Sequence, residues 1–100
     1  MIRVSRTFVR PNTNISWYHE TAEGISVSAN RVEKYGNKLS NPVTGLSQDG
    51  KTWTYTVTWA SQEDYNTAMA DSLITNGITK RKIYNASNGI TESASTITPV

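Results

Sequence analysis

The one histidine of the chain, His19, stands in the run Trp17-Tyr18-His19-Glu20-Thr21-Ala22-Glu23, with one carboxylate beside it and another four residues on. An imidazole flanked by acids can work as a general base, and on a helix His19 and Glu23 would be neighbours one turn apart. The pattern stops short of a zinc-protease helix, which needs a second histidine where Glu23 stands. No nucleophile or third orienting group accompanies it, so the reading preferred for His19 is an exposed or loop-packing residue.

Two other groups could do chemistry. Trp53 and Tyr55 alternate along an apparent strand behind Lys51, as in domains that stack RNA bases on an open sheet face. That use would turn Thr52, Thr54, Thr56 and Thr58 toward the helices, where threonine hydroxyls make a poor apolar layer. The aromatics are therefore assigned to the core. Lys80, Arg81 and Lys82, together with Arg3, Arg6 and Arg10, are the concentrations of positive charge from which a phosphate or other anion site could be built. Such a run is more often a solvated face, and for Lys80 to Lys82, near the end of the helical region, favourable contact with the helix dipole is a sufficient explanation. Asn14-Ile15-Ser16 and Asn85-Ala86-Ser87 match the glycosylation pattern, but chance matches are expected in a chain this rich in Asn, Ser and Thr.

The chain has no cysteine, which removes thiolate ligands, disulfides and a cysteine nucleophile together. No Gly-rich phosphate loop, metal-ligand spacing or Ser-His-Asp order can be drawn from its residues. No catalytic, cofactor-binding or metal-binding residue is assigned, and no cofactor is expected. Ten basic against eight acidic side chains give a net charge of only +2, so nucleic acid is not an expected partner.

The elements that must position these residues follow from periodicity. Ile2 to Val9 alternates with Ile2, Val4, Arg6 and Phe8 on one face, which predicts a half-buried strand that ends by Pro11. A helix is expected over 17–35, capped by Asn14 or Ser16, with Trp17, Ile25, Ala29, Val32 and Tyr35 inward and Gly36-Asn37 as its stop. Lys38 to Ser47 reads as a strand whose Pro42 and Gly45 imply an edge position or a bulge. Asp49-Gly50 is a hairpin turn signal. Lys51 to Trp59 then places Trp53, Tyr55, Val57 and Trp59 on one face and the four threonines on the other.

Ser61 and Asp64 predict a capped helix start, and Tyr65, Ala68, Met69, Ser72 and Leu73 form one stripe ended by Asn76-Gly77. A separate short helix is expected over 79–87, with Ile83, Tyr84 and Ala86 inward and Lys80 to Lys82 outward. Ile90 to Ile97 reads as the last strand and Pro99-Val100 as a frayed tail.

This order predicts an α+β fold over 1–100 as one domain: a ferredoxin-like split βαβ arrangement, a four-stranded antiparallel sheet with helices on one face. The expected core is Phe8, Trp53, Tyr55, Val57, Trp59, Tyr65 and Met69. One hundred residues bury only about 60 to 70% of the unfolded surface, so contact between copies would add stability. The leftover Thr52/Thr54/Thr56/Thr58 face is the expected shared surface, which implies a homo-oligomer or a larger protein assembly. No stretch is long and apolar enough to span a bilayer. The expected location is the cytoplasm of the producing cell, or a virion.

The third strand, its Asp-Gly turn and the junction Trp59-Ala60-Ser61-Gln62-Glu63-Asp64-Tyr65 resemble the dimeric ferredoxin-like proteins of the antibiotic-biosynthesis-monooxygenase type, chiefly over 50–75. Members with oxygenase or haem-degrading activity use an Asn, a Trp and a His, the His on the second helix. Gln62 to Thr75 contains no His, and Asn12 and Trp59 alone do not restore the set, so the resemblance implies the fold and not the activity. The opening Ile2-Arg3-Val4-Ser5-Arg6-Thr7-Phe8-Val9-Arg10-Pro11-Asn12-Thr13 and the close Tyr84-Asn85-Ala86-Ser87-Asn88-Gly89-Ile90-Thr91 resemble small proteins of large tailed bacteriophages. The expectation is a non-catalytic structural or assembly protein, with a virion component as one form of it. The alternatives are a small ferredoxin-like oxygenase or ligand-binding enzyme and, third, a nucleic-acid-binding module.

Overall fold

A computed structural model describes residues 1–40 and 42–100. Its central strand is β1 (Ile2–Val9), paired along its whole length with β3 (Thr52–Trp59) in an antiparallel register that sets Phe8 opposite Trp53 and Ile2 opposite Trp59. β2 (Val43–Leu46) forms the edge beyond β3, as Pro42 and Gly45 imply. The strand expected over 38–47 is shorter than its pattern, with only a lone bridge from Leu39 to Trp59 before it; Asn41 lies outside the described residues. Asp49 holds the turn between β2 and β3 by accepting from the Lys51 amide at 3.0 Å, and Gly50 takes a φ of 74°.

The other edge of β1 is covered by two short pieces, β4 (Thr91–Glu92) and β5 (Thr96–Pro99). One continuous strand over 90–97 was expected; the chain leaves the ladder at Ser93 to Ser95, where Ser93 Oγ accepts from the Thr7 amide. The tail is not frayed, because the Val100 amide donates to the Met1 carbonyl at 3.0 Å. With β5 beside β4, the strand order is β2-β3-β1-β4, an antiparallel sheet with its helices on one face.

The helices depart furthest from expectation. Tyr18–Glu20 is a single 3-10 turn, and α1 (Ala22–Tyr35) begins only at Thr21, whose hydroxyl accepts from the Gly24 amide. Its inward face is Gly24, Val27, Ser28, Arg31 and Tyr35, while Ile25 and Val32 are exposed. A helix rotated by one position thus turns an arginine, not the apolar stripe, toward the sheet.

The helix expected to run to Gly77 breaks after Met69. α2 (Gln62–Met69) ends there, and Asp71 caps α3 (Ser72–Ser87) by accepting from the Leu73 amide at 2.9 Å. Asp71 also receives the Tyr35 hydroxyl and the Lys34 ammonium, both at 2.5 Å, and with the backbone bond these hold its carboxyl down at about 2. Asp competes with its own backbone inside a helix and favours a cap, so the apolar stripe loses to it here. Gly77 lies within α3, where a Cβ would come within 2.6 Å of Val27 Cγ1, so it marks the α1–α3 crossing and not a helix end. Residues 79–87 continue the same helix. Ile83 is exposed, and Arg81, expected outward, faces inward.

The buried residues form two groups. Ile2, Tyr35, Val57, Trp59, Ala68 and Ile74 make one; Phe8, Trp17 and Ile90 make the other, and Tyr55 packs against both. Of the seven expected core residues, Phe8, Val57 and Trp59 are buried, whereas Trp53, Tyr55, Tyr65 and Met69 are half-buried. The space between the groups is open.

Candidate functional site

That space is a cavity of about 210 Å³ between the inner face of the sheet and the helices. β3 supplies Trp53, Tyr55 and Trp59 because its period-2 alternation sends every second side chain to this face, and β1 adds Val4, Arg6 and Phe8 by the same rule. The 3-10 turn carries Trp17, Tyr18 and His19 to one end. α1 contributes Arg31 and α3 contributes Arg81 and Asn85.

Trp53 is the hub of the aromatic wall, with its ring 5.5 Å from Phe8, 6.1 Å from Trp17 and 5.6 Å from Tyr55. His19 stacks on it at 4.3 Å. Burial against these rings lowers the imidazole pKa below its ordinary value, only partly offset by the charge of Glu20, so His19 is neutral at neutral pH. The pairing of His19 with Glu23 expected from their spacing does not form, because Glu23 accepts from the Tyr18 hydroxyl at 2.9 Å. Burial, and then that bond, push the Tyr18 phenol up to about 12.

The polar wall is arginine-rich. Arg81 donates from Nε and Nη2 to the two carboxylate oxygens of Glu92 at 3.3 and 3.2 Å, Arg6 approaches the same carboxylate at 3.9 Å, and Asn85 donates to it at 2.7 Å. Arg6 also donates to Ser95. Burial alone would raise the Glu92 carboxyl, but the hydrogen bond and charge of Arg81, with Asn85 and Arg6, bring it below its usual value. Arg6 is shifted down, chiefly by burial and then by the charge of Arg81. Arg31 lies over the Tyr55 ring, its Cζ 5.7 Å from the centroid, and both Arg31 Nε and the Tyr55 hydroxyl are buried without a hydrogen-bond partner.

The residues singled out in the sequence are dispersed. Thr52, Thr54, Thr56 and Thr58 lie on the outer face of the sheet, where Thr56 shares a hydroxyl bond of 2.8 Å with Ser5. Lys80 and Lys82 are exposed, but Arg81 turns inward to Glu92, so the three do not form one anion surface. Arg3 is exposed, Arg6 reaches the cavity, and Arg10 is spent on the Gly50 and Ile15 carbonyls, with its guanidinium 4.4 Å from the Trp17 ring centre. Trp53 and Tyr55 face the helices and not an open face of the sheet.

Sequence reasoning missed Arg31, Arg6 and Tyr55 as a group. The signal available was Arg6 within the apolar register of the first strand, a charge placed where the pattern demands burial.

No protein-family model matches this chain, and neither does any curated protein. Solved structures do match its fold. SnoaB of Streptomyces nogalater, named as a cofactor-independent oxygenase, superposes with a TM-score of 0.65 at 12% identity over 99% of this chain and 91% of that one. A variant of SnoaB gives 0.66 at 12% identity, with the same coverage. A Deinococcus radiodurans protein assigned as an antibiotic-biosynthesis monooxygenase gives 0.62 at 12% identity over 100% and 92%. These likenesses bear out the fold of the monooxygenase type. They overturn the expectation of a non-catalytic structural or virion protein, since all three neighbours carry oxygenase names and none is a bacteriophage component. Among the described residues, no helix is long and apolar enough to cross a membrane.

Proposed function

We propose that this chain is a small ferredoxin-like oxygenase that binds a planar aromatic molecule between its sheet and its helices. The observation that carries the reading is the cavity itself: the fold keeps open, under a layer of rings centred on Trp53, the space that a packed core would fill. Rings stack on rings at the separations seen here, so the wall favours a flat, electron-rich ligand. The size is restrictive. A cavity of about 150 Å³ admits benzene, and 210 Å³ suits one or two fused rings.

The oxygenase names of the neighbours support the choice of reaction. On a cofactor-independent route the substrate supplies the electrons, and a phenol does so best as its anion. His19, neutral at neutral pH and lining the cavity, is placed to take the phenol proton. With 1-naphthol as the probe, one O2 places one atom at the ring carbon that becomes the second quinone carbonyl and releases the other as water, the four electrons coming from the phenol. An oxygen electrode should therefore record uptake equal to the naphthoquinone formed, and His19→Ala should slow it by about 10²-fold or more. Uptake no greater than with heat-denatured protein would end the oxygenase reading.

Copies of the chain are also proposed to associate through the outer face of the sheet. The register places Val43 and Val9 beside the threonines of β3 on that face, and both valines are exposed. Light scattering should give a mass above that of one chain, falling toward it in Thr54→Arg. A monomeric mass up to millimolar protein would rule the association out.

A further inference from the structure

The charge balance of the cavity bears on its ligand. Arg6, Arg31 and Arg81 all line it, while no carboxylate does among the described residues. Glu92 is shared by Arg6 and Arg81, so one negative charge serves two cations. Arg31 has no ion-pair partner among the described residues. Three guanidiniums against an aromatic wall that no carboxylate lines among the described residues leave the interior short of negative charge, and a desolvated cation is costly until it is paired.

The shortage has a definite position. Arg6 is the direct cross-strand partner of Tyr55, and Arg31 lies over the ring of Tyr55 from the helix side. The Tyr55 ring thus carries the Arg31 guanidinium over its face, and, among the described residues, the Tyr55 hydroxyl and Arg31 Nε are the buried side-chain polar atoms that lack hydrogen-bond partners. Buried donors are almost always paired in folded proteins, so two of them together mark a place for an acceptor. A carboxylate meets this demand: its two oxygens accept from a guanidinium edge, and one can also take the phenolic O–H. A small inorganic anion would satisfy the donors but leave the aromatic wall uncovered.

We infer that the cavity takes a one- or two-ring aromatic carboxylate, its carboxylate on Arg31 and the Tyr55 hydroxyl and its ring against Trp53. This inference rests on the reading of the cavity as the substrate site. It specifies an acidic aromatic substrate class, with the acid group as the anchor and the ring as the part presented to His19.

Calorimetric titration of the full chain with 2-naphthoate and with 2-naphthamide, the uncharged molecule of the same shape, tests it. The naphthoate should bind at least about tenfold more tightly, because a charge-assisted pair distinguishes the two. Tyr55→Phe and Arg31→Gln should each remove most of that preference by weakening the naphthoate more than the amide. Equal affinity of the two ligands for the unmodified protein overturns the carboxylate assignment and leaves the aromatic site standing. Binding of neither ligand removes both. A preference that persists in a folded Arg31→Gln overturns the role of Arg31. The comparison in the unmodified protein does not depend on whether either variant folds.

Discussion

Replacing Trp59 by Ala should lower the stability of this protein by about 3 to 5 kcal/mol. The residue is only 3% exposed and closes β3 at the end where the sheet meets all three helices. Its ring meets Tyr35 of α1 edge-on at 5.9 Å and Tyr65 of α2 at 6.0 Å, and its backbone pairs with Ile2 on one side and Leu39 on the other. Truncation would remove two edge-to-face contacts and a large buried area, and the surrounding backbone is fixed by the ladder and cannot collapse into the gap. A small domain has about 5 to 15 kcal/mol in total, so the variant would stand close to unfolding at room temperature. Urea titration by far-ultraviolet circular dichroism measures the loss directly. A shift below about 1 kcal/mol would mean that Trp59 is not packed against Tyr35 and Tyr65 as described.

Gly24→Ala should be nearly as damaging, although alanine is the better helix former by about 1 kcal/mol. A Cβ at this position would fall 1.9 Å from the Tyr18 carbonyl oxygen and 2.7 Å from its carbon, both of them backbone atoms. The same carbonyl accepts from the Thr21 amide and hydroxyl, so it cannot swing away without losing the cap of α1. The 3-10 turn and the helix must part, at a cost of about 3 kcal/mol. The displaced turn carries Trp17, Tyr18 and His19, so the near-ultraviolet signal of the aromatic wall should change along with the stability. Unchanged stability and an unchanged aromatic spectrum would show that the turn does not pack on the helix as described.

The fold was legible where the pattern had one interpretation. β3 alternates aromatic and threonine without interruption, and β1 alternates too, so both strands, their faces and the turn at Asp49-Gly50 follow from the residues alone. α1 was legible in its C-terminal end but in neither its start nor its phase. Ile25, Ala29 and Val32 make the more apolar stripe, yet the close approach at Gly24 and the demand for Arg31 inside rotate the helix so that those residues meet solvent. The α2–α3 break was hidden because a stripe continues through it. Only a partner for Asp71, here Lys34 and Tyr35 from a distant element, decides in favour of the cap.

The site was largely illegible for a related reason. His19, Arg6, Arg31 and Tyr55 come from four elements, and their common feature is an interior left partly unfilled. Composition and periodicity report which face turns inward. They do not report whether that face then packs to full density.

The split edge of the sheet has a consequence for synthesis. β1 precedes β3, which covers one of its edges, by some fifty residues, but β4 and β5, which cover the other, follow β1 by more than eighty. At about 5 to 20 residues per second, the central strand spends seconds with a row of open amides and carbonyls while the helices are already emerging. An open edge is a template for pairing with another chain, and the late long-range contacts that close it are slow to form. A chain released before Thr91 would keep every residue of the aromatic wall, yet it would carry a sheet whose middle strand had become its sticky border.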